Sequence, residues 1–129
     1  MEVKFDVDRA IADFRAYNQK AQTNLEKAIV RAALQVEASA KQLFKGRDDE
    51  SVPGEPPRVQ TGRLRASITH RLERSPEGPV GLVGTNVEYA PHLEFGTSRM
   101  SPHPFLTPAL EMNKTDIEAE IAQAIREAE

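Results

Sequence analysis

The chain has 129 residues, of which 39% are hydrophobic and 29% are charged, and its net charge is −3 at neutral pH. This length fits one small domain, and the charge gives no overall case for nucleic-acid binding. The lack of cysteine excludes a disulfide framework, a thiolate metal site and a cysteine nucleophile. The sequence shows neither a signal peptide nor an apolar run of about 20 residues, so we expect a soluble protein made in the cytoplasm.

The N-terminal third predicts a strand followed by a long helix. Apolar and polar residues alternate over Val3–Val7, which is the pattern of a half-buried strand. Asp8 is placed to cap a helix. Apolar residues then recur at steps of three and four as far as Leu43, and Gly46 follows as a stop signal.

The predicted helix is longer than the domain that should contain it. A straight helix over residues 9–45 would run about 55 Å, whereas a compact domain of this size is about 35 Å wide. Either the helix breaks near Asn18 or Asn24, or part of it packs on a neighbouring molecule. A coiled coil is disfavoured because alanine-rich positions with Asn18 and Ser39 make a weak seam. We therefore expect the helix to pack against the protein's own sheet.

A loop and a hairpin follow. Residues 46–60 are rich in proline and charge and predict a mobile loop. Thr61 is placed to cap a short helical turn through Leu64. Residues 68–73 predict a second strand, and Ser75–Gly78 has the proline and glycine positions that a type I turn prefers. Val80–Val87 then returns as a third, antiparallel strand.

A proline-rich segment leads from the hairpin into the last helix. A short helix is expected to start at Ala90 or Pro91, because proline is tolerated in a first turn. Gly96 follows an apolar run and predicts a left-handed C-cap. Thr107 and Pro108 fit the cap and the first turn of a final helix.

Together these elements predict an α+β fold. A small antiparallel sheet of about three strands should pack against a long N-terminal helix and a C-terminal helix. The sequence shows no internal repeat and no domain boundary. We therefore expect residues 1–129 to form a single domain, with residues 46–60 as its mobile loop.

Catalytic and metal sites find little support. His92, Glu94 and His103 lie close in sequence, but residues two apart on a helix point in different directions. The spacing HExxH is missing, and no serine stands in the context GxSxG. We expect no catalytic residue, no metal and no cofactor, and a protein that is not an enzyme.

A basic cluster lies between residues 58 and 74, where Glu73 is the only acidic residue. Such density allows contact with DNA phosphates or with a protein partner. The favoured alternative is that these arginines pair with acidic helices that include Glu111, Asp116, Glu118, Glu120 and Glu127. Aromatic residues, which mark a platform for single strands, are not interleaved with the cluster. The arginines are Arg58, Arg63, Arg65, Arg71 and Arg74.

Two aromatic residues and a carboxylate stand out near the short helix. Phe95, Phe105 and Leu106 are interpreted first as core anchors beneath the turns and second as interface hot spots. Glu94 is expected to accept hydrogen bonds from nearby backbone amides or to pair with an arginine.

The middle of the chain resembles a family of tailed-phage proteins. The pattern begins with Thr61-Gly62-Arg63-Leu64-Arg65-x-Ser67-Ile68 and Val83-Gly84-Thr85. It continues with Tyr89-Ala90-x-x-Leu93-Glu94-Phe95-Gly96-Thr97 and Pro104-Phe105-Leu106-x-Pro108-Ala109-Leu110. These segments are similar to the tail-component, or tail-completion, proteins typified by the Hong Kong 97 phage.

The resemblance implies a non-enzymatic virion component that joins tail to head. Such a protein would assemble as a ring around the DNA channel, with other neck and tail proteins as its partners. We then expect it in the virion, after synthesis in the host cytoplasm. The family-matching residues are Tyr89, Leu93, Glu94, Phe95, Gly96, Thr97, Pro104, Phe105, Pro108 and Ala109. The alternative function is a small nucleic-acid-binding protein that uses the basic cluster.

Overall fold

The computed structural model describes residues 1–5, 19–46, 49–59 and 62–127 of the chain. The α+β class predicted from the sequence is confirmed: an antiparallel sheet packs with an N-terminal and a C-terminal helix. In chain order the described elements are β1 (Glu2–Phe5), α1 (Gln19–Leu43), α2 (Arg63–Ser67), β2 (Thr69–Ser75), β3 (Gly78–Gly84), α3 (Ala90–Phe95) and α4 (Leu106–Glu127).

The sheet has the order β1-β3-β2, and β3 pairs antiparallel with both neighbours. The predicted hairpin is confirmed, because Ser75 pairs with Gly78 and the two residues between them form the turn. The hydroxyl of Ser75 also donates to the carbonyl of Gly78 at 2.8 Å. β1 and β2 are thus opposite edges of the sheet, with α1 against β2 and β3 and α4 against β1.

β3 ends at Gly84, before the predicted end at Val87. Gly84 lies so close to β1 that a side chain there would overlap Met1 and Glu2. The amide of Thr85 still donates to the carbonyl of Met1 at 2.7 Å. Val87 then leaves the sheet and is buried in the core.

α1 runs from Gln19 to Leu43 without a break. A break near Asn24 is therefore wrong. Buried residues recur along one face of the helix from Leu25 to Ala40, and tertiary packing of such a face stabilises a continuous helix. The expectations for Asp8 and Asn18 concern positions outside the described residues.

The loop after α1 is bonded to the rest of the fold at two places. The backbone of Lys45 donates to Pro57 at 2.9 Å and accepts from Val59 at 2.8 Å, which explains why α1 ends before Lys45. Further along, the amide of Gly54 donates to the carbonyl of Pro102 at 2.8 Å. The described part of the loop therefore lies against the proline-rich segment, and its mobility stays a prediction.

The core lies between the sheet, α1 and α4. Phe105, Ile29 and Val83 are each 0% exposed and come from three different elements or their borders. The ring of Phe105 lies 5.3 Å from the ring of Phe44, at an interplanar angle of 59°. Each such side chain contributes roughly 1.5–3 kcal/mol by leaving water. α1 therefore packs on its own protein, as predicted.

Candidate interaction surface

Glu94 is a buried carboxylate, 4% exposed, near the end of α3. Its Oε1 atom accepts hydrogen bonds from the amides of Phe105 and Leu106, at 3.1 and 2.8 Å. Its Oε2 atom accepts from the amide of Thr107 at 3.1 Å. These are amides that the first turn of α4 leaves without helical partners, and the next residue, Pro108, has none.

The expected bonding of Glu94 to backbone amides is therefore confirmed. A carboxylate at this position also interacts favourably with the positive end of the helix dipole. The predicted cap at Thr107 is wrong, because α4 begins at Leu106 and Glu94 supplies the cap from another helix. Local capping rules consider only neighbouring residues, so they do not predict a cap from Glu94, which is distant in sequence from α4.

Gly96 turns the chain out of α3 and back along it. We predicted a left-handed C-cap here: Gly96 does cap α3 with a positive φ of 75°, but its ψ is 176°, so the left-handed helical conformation is wrong and the residue lies at positive φ with ψ near 180°. Only glycine adopts this region readily. A Cβ atom there would lie 2.8 Å from the carbonyl oxygen of Met100 and 2.9 Å from the nitrogen of Pro102. The returning chain is held by the amide of His103, which donates to the carbonyl of Leu93 at 2.6 Å.

Phe95 is 71% exposed, so its interpretation as a core anchor is wrong. Consecutive residues of a helix point about 100° apart. Because Glu94 points inward to reach α4, the ring of Phe95 is turned away from the core. Phe105 and Leu106 are each 0% exposed, which confirms both as core residues.

Two further apolar side chains are exposed around α3. Tyr89 and Met100 are each 36% exposed. We call Tyr89, Phe95 and Met100 the α3 surface. The guanidinium of Arg63 lies 5.9 Å from the centre of the Tyr89 ring, within cation–π range. Exposed aromatic and methionine side chains are enriched where proteins contact partners.

A pocket of about 660 Å³ opens beside the α3 surface. Tyr89 and Met100 belong to its wall, so two of the three residues of the α3 surface border a concave site. The apolar part of the wall also includes Phe44, Leu64 and Leu93. Three arginines of the basic cluster, Arg58, Arg63 and Arg65, also line it.

The other family-matching residues shape the backbone. The hydroxyl of Thr97 accepts from the amide of Arg99 at 3.1 Å, and Thr97 also pairs with Met100 in a bridge. Pro104 and Pro108 are half-buried on either side of the start of α4. Ala109 is 0% exposed on α4. The family-matching residues thus include a structural frame and two members of the exposed α3 surface, Tyr89 and Phe95.

The sheet arginines of the basic cluster are paired with carboxylates. Arg74 forms two hydrogen bonds with Glu26, at 2.8 and 3.1 Å. The hydrogen bond with Glu26 and its negative charge raise the pKa of Arg74 above the usual arginine value. Arg71 pairs with Glu2 at 3.0 Å and with Glu73 at 2.8 Å. Intramolecular pairing, the favoured alternative, is confirmed for these two residues.

The partners of these arginines differ from those expected. They lie on α1, β1 and β2, whereas no acidic residue in the described part of α4 pairs with Arg71 or Arg74. The reason is topological, because α4 lies against β1 and α1 separates it from β2. Nearer the pocket, Arg65 donates to the carbonyl of Lys41 at 2.9 Å and Arg58 to that of Asp49 at 3.3 Å. Direct contact with DNA stays a prediction.

A buried polar network between α1 and α4 escaped the sequence analysis. Asn113 is 6% exposed, and its amide group donates to Ser39 at 2.9 Å and to the carbonyl of Ala109 at 2.7 Å. The amide nitrogen of Gln35 donates to the side-chain oxygen of Asn113 at 2.9 Å. A signal was present, because Asn113 falls within the apolar stripe of α4, between Leu110 and Ile117. This network fixes the pairing of the two helices.

A second missed contact joins two segments of the family pattern. The hydroxyl groups of Ser67 and Thr85 lie 2.5 Å apart, and Thr85 is 7% exposed. The same Thr85 oxygen accepts from the amide of Val87 at 3.1 Å. Thr85 therefore fixes the path of the chain as it leaves β3.

The described ranges contain no group of three or more His, Cys, Asp or Glu residues arranged to hold a metal ion. His103 instead contacts the carbonyl of Glu55 through Nδ1, at 3.0 Å. In the same ranges, no helix combines the length and the apolar character needed to cross a membrane.

Comparison with known proteins decides the family. A family model described as "Bacteriophage HK97-gp10, putative tail-component" matches residues 8–96, well over half of the chain. The chain belongs to this family of phage tail components. The matched span includes the α3 surface as far as Phe95, whereas the resemblance over Pro104–Leu110 lies beyond it. Neither the curated proteins nor the solved structures contain a match to the chain.

Proposed function

We propose that this tail component completes the tail and joins it to the head, by assembling as a ring around the DNA channel. It acts through protein contacts and without catalysis, after synthesis in the host cytoplasm. Its partners are other neck and tail proteins. Its place is the tail or neck of the virion.

The observation that carries this proposal is the exposure of Phe95 within the family-matched span. A phenylalanine ring that is 71% exposed loses the contribution it would make in a core. Glu94 and Gly96 nevertheless hold its backbone in one position. A rigid aromatic residue of this kind fits an anchor that is buried when a partner docks.

The proposal is tested by removing the protein from a phage or prophage. A stop codon at Gln60 truncates the chain before the hairpin, α3 and α4. Electron microscopy should then show DNA-filled heads beside separate or overlong tails. A plasmid copy of the full gene should restore joined particles. Intact, infectious particles in the absence of that copy would contradict the proposal.

A binding assay separates this function from the nucleic-acid-binding alternative. If the basic cluster bound duplex DNA, log affinity would fall against log salt with a slope near −0.9 for each phosphate contacted. Because Arg71 and Arg74 are paired within the chain, we expect no such salt-dependent binding. A steep slope that disappears when Arg58, Arg63 and Arg65 are replaced by glutamine would favour the alternative.

A further inference from the structure

Two outer faces of the molecule lie on opposite sides of the fold. α4 lies against β1, at one edge of the sheet, and α1 lies against β2, at the other edge. The outer face of α4 and the groove between α1 and β2 therefore point away from each other. A contact between these two faces on different molecules would join copies head to tail.

The groove between α1 and β2 combines apolar and basic side chains. It has a volume of about 430 Å³ and is lined by Lys27, Val30, Arg31 and Leu72, among others. Val30 is 38% exposed, and Leu34, one helical turn further along α1, is 50% exposed. We define the α1 groove as Lys27, Val30, Arg31 and Leu72 of this lining, together with Leu34, which lies beyond it on α1.

The charges of the α1 groove are available to a partner. Arg74, at its border, is already bonded to Glu26. Within the described part of the chain, Lys27 and Arg31 form neither an ion pair nor a hydrogen bond through their side chains. A partner that carries carboxylates would bury Val30 and Leu34 and pair with Lys27 and Arg31.

The outer face of α4 has the complementary composition. α4 contains five acidic and two basic residues, a formal charge of −3. Met112 is 62% exposed, and it lies between the exposed residues Glu111, Asp116 and Glu118. We call these four residues the acidic α4 face. In the described ranges, its three carboxylates have no ion-pair partner.

We propose that the acidic α4 face of one copy docks in the α1 groove of the next copy. This inference rests on the proposed function and names the surfaces through which the ring forms. Met112 packs against Val30 and Leu34, while the carboxylates flank Lys27 and Arg31. Opposite charges around an apolar centre fix the register of such a contact. A heterologous contact of this type forms a closed ring when the rotation between neighbouring copies brings the last copy back to the first.

Cysteine cross-linking tests the pairing directly, because the natural chain has no cysteine. A chain with Leu34→Cys and Met112→Cys is treated with a short bismaleimide, both in assembled particles and as concentrated purified protein. The proposal predicts a ladder of dimers, trimers and larger species. On a denaturing gel each single-cysteine chain should show no cross-linked species, because a head-to-tail contact never brings two copies of one residue together.

Charge reversal on the double-cysteine chain tests the complementarity. Lys27→Glu with Arg31→Glu should remove the ladder, and so should Glu111→Lys with Asp116→Lys. All four changes together should restore it, since the charges are then exchanged across the contact. Glu77→Lys with Glu88→Lys, at exposed positions on neither face, is the matched control and should leave the ladder intact.

Other outcomes overturn the inference. Dimers from a single-cysteine chain would indicate a symmetric contact through one face. A complete lack of cross-links in both samples would exclude this pair of faces. The proposed function fails separately: particles that lack the chain and still join heads to tails would contradict it, whatever the purified protein does.

Discussion

Glu94 and Phe95 are neighbours in the chain and lie in opposite environments. Glu94 is 4% exposed and accepts hydrogen bonds from three amides at the start of α4, whereas Phe95 is 71% exposed. The carboxylate of Glu94 is buried and hydrogen-bonded, whereas the large apolar ring of Phe95 faces water. Each arrangement reverses what its residue type favours.

Neighbouring residues of this segment therefore have two different roles, one in a structural frame and one on an exposed surface. Glu94, Gly96 and Phe105 form the frame, because they fix the turn and anchor the start of α4. Tyr89, Phe95 and Met100 form the exposed α3 surface. Changes in the frame should therefore alter stability, and changes in the surface should alter assembly.

Phe105→Ala should have the largest effect on the frame. The side chain is 0% exposed and packs against Phe44, so its removal leaves a cavity. We expect the free energy of unfolding to fall by about 3–5 kcal/mol. Urea denaturation followed by circular dichroism would measure it. A loss below about 1 kcal/mol would show that the frame does not depend on this ring.

Gly96→Ala should come next. An alanine here would have to keep a strained positive φ, and its Cβ atom would overlap the returning chain. We therefore expect the free energy of unfolding to fall by about 3 kcal/mol. Gly54→Ala is the matched control, because φ is 84° there but the space around a Cβ atom is open. The control should lose only about 1 kcal/mol. Equal losses would mean that the close approach at Gly96 is unimportant.

Glu94→Gln should have a smaller effect on the same frame. The amide group keeps one acceptor oxygen but places a donor against an amide of α4. We expect a loss of about 1–3 kcal/mol in unfolding free energy. Glu88→Gln, at an exposed position just before α3, should change stability by less than about 0.5 kcal/mol. A variant as stable as the natural chain that fails to assemble would place Glu94 in an interface instead.

Phe95→Ser should have the smallest effect on stability. Because the ring is already 71% exposed, its removal uncovers little of the core. We expect a change within about 0.5 kcal/mol, measured by the same denaturation experiment. A loss of several kcal/mol would assign Phe95 to the frame and remove the contrast with Glu94.

Elements set by local patterns were predicted from the sequence. The hairpin turn at Ser75–Gly78 and the start of α3 at Ala90 depend on proline and glycine positions, and both are confirmed. Features set by distant contacts were not predicted. The outward direction of Phe95 depends on where α4 receives Glu94, and the network of Asn113 depends on the pairing of two helices.

The arginine partners illustrate the same limit. Intramolecular pairing was predicted, but with the acidic residues of α4 as partners. The strand order β1-β3-β2 places β2 beside α1 instead, so Arg74 meets Glu26. Strand order is not visible in local periodicity, and it decides which charged surfaces neutralise each other and which remain exposed.

We propose that Phe95 serves assembly and not folding. The most direct test supplies Phe95→Ser from a plasmid to phages with the stop codon at Gln60, and counts joined particles by electron microscopy. The natural chain and Glu88→Gln should both restore joining. We predict that Phe95→Ser, present at the same level and equally stable, leaves heads and tails separate. Normal joining by this variant would contradict the account.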